Sequence, residues 1–285
     1  MIRQPGTRER SRKLPERMPE RLSNGLLFEA TDVDRAIVDM LPLLTTPRHW
    51  PAFNAVRHLN RAWRLLNSDR TVAIFYGITA EEEAATAVLQ SLKARSYPGS
   101  ERLKPHNHVQ KNAVIPFFDG MTRILATLQR PPELRFLLQK DNPQQPFVLE
   151  IQLPHPIHDV AWYRPQPPLE FSQARSTDGG ATYATENFSR GFAEVARGAS
   201  ATTVGDYLRR RANLRNLLLY ASADGYPDYA GPAEQRLTQS KRNVFALLRM
   251  FLLIEPYPQH QSFVVQALSG FVEVLGSLSA PVDFE

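Results

Sequence analysis

The sequence predicts a mainly α-helical protein with a small β insertion, and three features of the chain lead to that prediction. Apolar residues recur at helical spacing over most of the first 129 residues and again beyond residue 187. Nine of the 23 prolines lie between Pro131 and Pro168, a density that no continuous helix could hold. Within and after that stretch, short segments alternate apolar and polar residues as strands do.

The helical pattern of the first half is divided among four segments. They are residues 36–41, 55–66, 71–94 and 108–128. The third segment is the clearest, because apolar side chains recur through it every three or four residues. In the fourth, Pro116 is expected to bend or break the helix, since proline cannot donate the backbone hydrogen bond of a helix interior.

The β insertion is expected at about residues 146–186. Residues 147–153 alternate as a strand, and residues 159–163 and 169–174 are expected to pair with them. The sequence Asp178-Gly179-Gly180 predicts the turn of a hairpin. Helical patterns then return over residues 188–198, 203–223, 233–254 and 260–278.

Charge divides the chain into a basic tail and a nearly neutral body. Residues 1–21 carry seven Arg or Lys and three Glu, so they account for +4 of the net charge of +5. We therefore expect residues 1–22 to form a disordered basic tail and residues 23–285 to form a single helical domain. No basic stripe stands out in the body, so strong sequence-independent binding of nucleic acid is not expected of it.

Composition also limits the kind of protein this can be. The chain has no cysteine, which excludes disulfides, thiolate metal sites and cysteine nucleophiles. No apolar run approaches the roughly 18 residues of a spanning helix, and no apolar stretch follows the basic N-terminus as in a secretory signal. We expect a cytoplasmic protein with no membrane partner and no cofactor.

Glu82 is a charged residue on an apolar helix face. At 100° per residue it falls about 40° from Ile78, in the same stripe as Ala85, whereas Glu83 points toward solvent. A carboxylate in such a stripe either curls out to water at the helix edge or is buried with a partner.

Arg215 stands at the centre of the apolar stripe of the predicted 203–223 helix, close to Arg211 of the basic run 209–211. Arginine stays charged, so a buried Arg215 requires an acceptor, and Glu82 is the first candidate. Such a pair is either structural or part of an active or binding site, and the sequence leaves both interpretations open.

His108 and Lys111 lie three residues apart at a predicted helix start. They could face the same way and bind phosphate, or serve as acid and base. His106 and His108 are only two residues apart, and no carboxylate lies near them in sequence. Helix-borne metal ligands are typically four apart, so no metal site is expected here.

Three segments, taken in order along the chain, resemble the AbiV-like branch of the HEPN superfamily, which is known for abortive infection against phage. They are AEEEAATAVLQSLK at 80–93, NHVQKN at 107–112 and RNLLLYASADGYPDYAGP at 215–232. The last segment contains Arg215, Asn216 and Tyr220 in the pattern R-N-x-x-x-Y. Tyrosine stands there at the position of the histidine in the HEPN nuclease signature.

The resemblance implies a HEPN-like helical bundle that dimerises over RNA, with an arginine that steadies the scissile phosphate and a histidine that transfers protons. Arg215, Asn216 and Tyr220 would then be catalytic. The supporting residues would be Glu82, Glu83, His108, Lys111 and Arg211. Tyrosine has an ordinary pKa near 10, which makes it a poor base at neutral pH, but it can donate a proton.

Two functional hypotheses follow. The first is an RNA-directed effector, a metal-independent endoribonuclease or toxin of prokaryotic antiviral defence that acts as a homodimer with RNA as its partner. The alternative is a non-catalytic HEPN-like module that binds and regulates a protein or nucleotide partner.

Overall fold

The computed structural model describes most of the chain beyond the basic tail. The described residues are 22–44, 46–127, 133–138, 147–154, 162–177, 182–201, 203–220, 225 and 227–277. Apart from residue 22, the predicted basic tail lies outside these ranges.

The described chain is mainly α-helical, which confirms the predicted fold class. Its helices are α1 (Asp32–Met40), α2 (His49–Leu65), α3 (Arg70–Ala94), α4 (His108–Ala126), α5 (Ser189–Gly198), α6 (Val204–Leu217), α7 (Ala233–Ile254) and α8 (Ser262–Gly276). Polar side chains cap four helix N-termini by accepting a backbone hydrogen bond. The capping residues are Thr31, Asp69, Asn107 and Thr203. Among the described residues, no helix combines the length and apolarity needed to cross a membrane.

α3 is the central helix, and α2, α4, α6 and α7 pack around it. Small residues allow these neighbours to approach closely: Ala80 and Ala84 have no exposed surface at all. At Gly77 an added Cβ atom would lie 2.9 Å from Cδ2 of Leu237 on α7, closer than ordinary contact allows. Because α3 is covered on several sides, charged residues along it are buried as well as apolar ones.

α4 continues through Pro116, so the predicted break does not occur. Beyond the proline, α4 crosses α5 in direct backbone contact at Gly120 and Gly191. A Cβ atom on Gly120 would lie 2.4 Å from the carbonyl carbon of Gly191, so this crossing requires glycine.

The β insertion is present, but its start and one of its pairings differ from the prediction. β1 (Glu133–Leu138), β2 (Phe147–Pro154) and β3 (Trp162–Tyr163) form an antiparallel sheet in that order, and β4 (Ala174–Thr177) pairs with β5 (Thr182–Thr185). The insertion therefore begins near residue 133 rather than 146. The predicted pairing of residues 169–174 with β2 is wrong, because the strand that begins at Ala174 forms a separate hairpin.

A buried carboxylate, Glu255, links the end of α7 to the start of α2 and the end of α3 through hydrogen bonds. It is 1% exposed and accepts hydrogen bonds from Thr46 (2.7 Å), Arg48 (3.0 Å) and Ser91 (2.5 Å). Arg95 donates to its backbone oxygen. Burial alone would raise the pKa of Glu255, but the hydrogen bonds from Arg48, Ser91 and Thr46 and the charge of Arg48 outweigh it and hold the pKa below its ordinary value of 4.5.

We expect Glu255→Gln to lower the free energy of unfolding at pH 7 by about 3 kcal/mol, because Arg48 loses its buried counter-charge. A carboxyl whose pKa is depressed by folding stabilises the protein above its unfolded pKa, near 4.5, and stops doing so as the pH falls through the folded pKa. Urea unfolding over this pH range should show the variant and the wild type converging on acidification. A difference that does not change with pH would contradict this account.

Candidate functional site

Glu82 lies at the centre of a polar cluster between α3, α4 and α6. Its side chain is 3% exposed, so the predicted burial in the apolar stripe is confirmed. Oε2 is 3.3 Å from Nζ of Lys111 and 3.0 Å from Nδ1 of His108, and Oε1 accepts a hydrogen bond from Asn112 at 3.0 Å. One turn of α4 thus supplies three partners to a single carboxylate.

Arg215 of α6 is the fourth partner. Its Nη1 atom lies 3.4 Å from Oε2 of Glu82, which confirms the predicted pair. The guanidinium also lies over the ring of Phe75, with Cζ 5.3 Å from the ring centroid. The Arg215 side chain keeps 29% of its surface exposed, so it bridges the buried carboxylate and the solvent.

Glu82 fixes the protonation pattern of the His108 ring. The carboxylate can only accept hydrogen bonds, so the 3.0 Å contact assigns the ring proton to Nδ1 in the neutral imidazole. The 3.5 Å approach of Arg215 to the same nitrogen cannot then be a hydrogen bond, because both groups would be donors. Nε2 is left as the basic nitrogen of a half-exposed side chain, an arrangement suited to accepting a proton.

An open groove of about 510 Å³ lies beside this cluster, between the start of α4 and the outer face of α6. Its lining residues are His108, Val109, Arg209, Arg210, Ala212, Asn213, Arg215 and Asn216. No carboxylate is among them, and Glu82 behind the groove faces two permanent cations, Lys111 and Arg215. The groove therefore carries an excess of positive charge.

The prediction that one helix carries Arg215, Asn216 and Tyr220 is wrong for Tyr220. α6 ends at Leu217, and Tyr220 follows in a bend with 68% of its surface exposed. The buried residues of α6 all lie in its first half, and in the apolar run that follows Leu217 and Leu219 are exposed, with only Leu218 between them buried against α2, α3 and α7. Asn216 remains on α6 and lines the groove, but Tyr220 is not in contact with the Glu82 cluster.

A second buried carboxylate, Glu81, was not predicted. It is 3% exposed and pairs with Arg236 of α7, at 2.9 Å from Nη1 and 3.3 Å from Nη2, and with Asn243 at 3.0 Å. Burial raises the pKa of Glu81, but Arg236, together with Arg211 and Asn243, more than offsets this and holds the pKa below its ordinary value.

The remaining predicted residues lie outside the Glu82 cluster. Arg211 is partly exposed on α6, with its guanidinium over the ring of Tyr207 at 5.9 Å, and its charge helps to lower the pKa of Glu81. Glu83 is partly exposed on α3. Sequence reasoning also omitted Asn112, although its position one turn after His108 places both on one face of α4.

Comparison with known proteins does not identify the chain, since no family model, curated protein or solved structure matches it. Over the described residues, no group of three or more His, Cys, Asp or Glu side chains is arranged to hold a metal ion. The HEPN resemblance thus remains a prediction.

We expect Glu82→Gln to lower the free energy of unfolding by about 3–5 kcal/mol, because Lys111, only 10% exposed, loses its counter-charge. Adding Lys111→Met should recover part of that loss, since the unpaired charge is then removed. Urea unfolding of the two single variants and the double variant measures the coupling. Strictly additive effects would mean that the two side chains do not stabilise each other.

Proposed function

We propose that the protein is a HEPN-like, RNA-directed effector of prokaryotic antiviral defence whose groove between α4 and α6 binds the RNA backbone. The observation that carries the proposal is the excess of positive charge around Glu82. One buried carboxylate faces Lys111 and Arg215, and the adjoining groove adds Arg210 and Arg209, of which Arg209 is paired with Asp206 at 2.7 Å. A phosphate diester supplies the missing negative charge, and planar guanidinium groups match its oxygens well.

The geometry of His108 favours cleavage as well as binding. In the proposed step Nε2 of His108 removes the proton from a ribose 2′-hydroxyl, and the 2′-oxygen attacks the adjacent phosphorus. The bond to the 5′-oxygen breaks, and that oxygen takes up a proton from water as it leaves, while the proton of the 2′-hydroxyl stays on His108 until it passes to solvent. Arg215 stabilises the charge that builds on the phosphate oxygens, and Glu82 stabilises the imidazolium that forms. The products are a 2′,3′-cyclic phosphate and a free 5′-hydroxyl.

This proposal moves the proton-transfer role from Tyr220 to His108. His108 contacts both Glu82 and Arg215, whereas Tyr220 lies beyond the end of α6. Tyr220 and its neighbours instead offer an apolar surface, with exposed side chains at Leu214, Leu217 and Leu219. We include a homodimer in the proposal, with this surface as its contact, because burial of exposed apolar groups favours association.

The second candidate is a non-catalytic HEPN-like module that binds and regulates a protein or nucleotide partner. The exposure of Tyr220 favours it, because the described groove then holds a single histidine and no obvious general acid. In this case the Glu82 cluster is a structural ion-pair network whose outer edge binds phosphate without reacting.

We expect purified protein to cleave single-stranded RNA, and His108→Gln to lower the cleavage rate by roughly 10²–10⁴-fold, the range for a positioned acid or base. Tyr220→Phe should leave the rate nearly unchanged, because the hydroxyl is remote from the cluster. His106→Gln, an exposed histidine two residues away, is the matched control. Labelled RNA separated on denaturing gels measures the rates.

The cleavage experiment has outcomes that would contradict parts of the proposal or all of it. A Tyr220→Phe variant as inactive as His108→Gln would contradict the exclusion of Tyr220 from proton transfer, and a fully active His108→Gln variant would contradict the assignment of the base. RNA that is bound but left intact would favour the non-catalytic module. RNA that is neither bound nor cleaved would overturn the proposed function.

Expression of the protein in bacterial cells is expected to arrest growth if RNA is its target. Arg215→Ala should relieve the arrest, because the phosphate contact is lost from an interface that is only partly buried. Growth curves with immunoblots measure the effect at equal protein levels, and thermal melting checks that the variant folds. Persistent arrest with a folded variant would argue against a role for Arg215.

A further inference from the structure

A row of arginines lies on the outer face of α2, which corrects the expectation that the body has no basic stripe. Arg57, Arg61 and Arg64 are all exposed and recur at helical spacing around Asn60. None of the three forms an ion pair with a carboxylate in the part of the chain that the structure describes. The sequence alone did not reveal this stripe, because the three arginines alternate along the chain with the apolar residues of α2.

Two aromatic rings on α3 connect this row to the proposed RNA groove. The Arg61 guanidinium lies over the ring of Tyr76 at 6.0 Å, and the Arg215 guanidinium lies over the ring of Phe75 at 5.3 Å. The two rings are neighbours, with centroids 5.7 Å apart. Both rings are partly exposed, so they form an accessible aromatic surface between α2 and α6.

His58 gives independent support for the proximity of these cations. Its ring stacks on Tyr76 at 5.5 Å. Burial, together with the charges of Arg61, Arg57 and Arg215, lowers the pKa of His58 to about 4. The pKa of this one imidazole is therefore lowered by arginines of both α2 and α6, which places the two sets of arginines near each other.

We propose that these residues form a cation–aromatic track, defined by Arg57, Arg61, Tyr76, Phe75 and Arg215, that binds single-stranded RNA leading into the groove. An arginine stacked on a ring keeps its in-plane N–H groups available for phosphate oxygens. A positively charged path with interleaved aromatic rings is how single strands are bound without sequence preference. The track rests on the proposed function, because it delivers RNA to the same site.

Single-stranded RNA is a better fit to the track than a duplex. The cations are presented from one side and at different helices, and the two aromatic rings lie among them. A flexible strand can follow such a path and turn its bases toward the rings, whereas a duplex keeps its bases stacked internally. Because neither phosphate contacts nor stacking of bases on rings distinguishes RNA from DNA, single-stranded DNA is also expected to bind the track.

The test compares binding of a fluorescent 2′-O-methyl oligouridine, which cannot be cleaved through its 2′-oxygen, with binding of a uridine dinucleotide. We expect Arg57→Gln with Arg61→Gln to weaken binding of the longer strand and to reduce the slope of log affinity against log salt by about 1.4, or about 0.7 for each lost phosphate contact. Dinucleotide binding should be unchanged. Arg123→Gln is the control, an exposed arginine about 22 Å further along α4 than His108.

Failure of the track and failure of the groove give different results. A double variant that binds the long strand like the wild type, with the same salt slope, overturns the track while the groove stands. Loss of long-strand binding in the double variant, with no effect of Arg215→Ala on either ligand, supports the α2 surface and overturns the groove. Equal weakening by Arg123→Gln would overturn the track, because it would show general charge attraction only.

Discussion

Two consecutive carboxylates, Glu81 and Glu82, are buried in the middle of α3, and the arrangement of the surrounding helices depends on neutralising both. Successive residues on a helix point about 100° apart, so no single neighbour can serve the pair. Glu81 is paired with Arg236 of α7, and Glu82 is paired with Lys111 of α4 and Arg215 of α6. A buried charge left without its partner is strongly destabilising, so the positions of α4, α6 and α7 around α3 are tied to one another.

The two carboxylates differ in a way that bears on function. Glu81 is matched by one bidentate arginine and a neutral amide, a closed arrangement in which charges balance. Glu82 faces two permanent cations, Lys111 and Arg215, which is more than one carboxylate can neutralise, and His108 and Arg215 both reach the solvent. We propose that an anion from outside completes the Glu82 cluster, whereas the balanced charges at Glu81 call for none. The excess of positive charge makes the Glu82 cluster a candidate binding site, whereas the balanced Glu81–Arg236 pair is structural.

Parts of this arrangement could be predicted from the sequence, because helical periodicity reports which residues share a face. Burial of Glu82 and its pairing with Arg215 followed from charged residues on apolar stripes. Glu81 was missed because α3 is covered on several sides, and stripe analysis assumes one buried face. The end of α6 was missed because Leu217 and Leu219 continue the helical pattern, although both are exposed and little of their apolar surface is buried by the described chain. The early start of the β insertion at Glu133 depends on a pairing with β2 that local patterning does not reveal.

Photo-crosslinking of RNA to the protein tests the central claim most directly, because it reports where the strand lies without relying on activity. Single-stranded RNA carrying a photoreactive uridine would be irradiated with the protein, and the crosslinked peptides would be identified by mass spectrometry. The account predicts crosslinks on the first turns of α4, on α6 and on the segment of α3 that carries Phe75 and Tyr76, with weaker crosslinks on α4 and α6 in Arg215→Ala. Crosslinks that fall elsewhere on the protein, with none on α4 or α6, would contradict it.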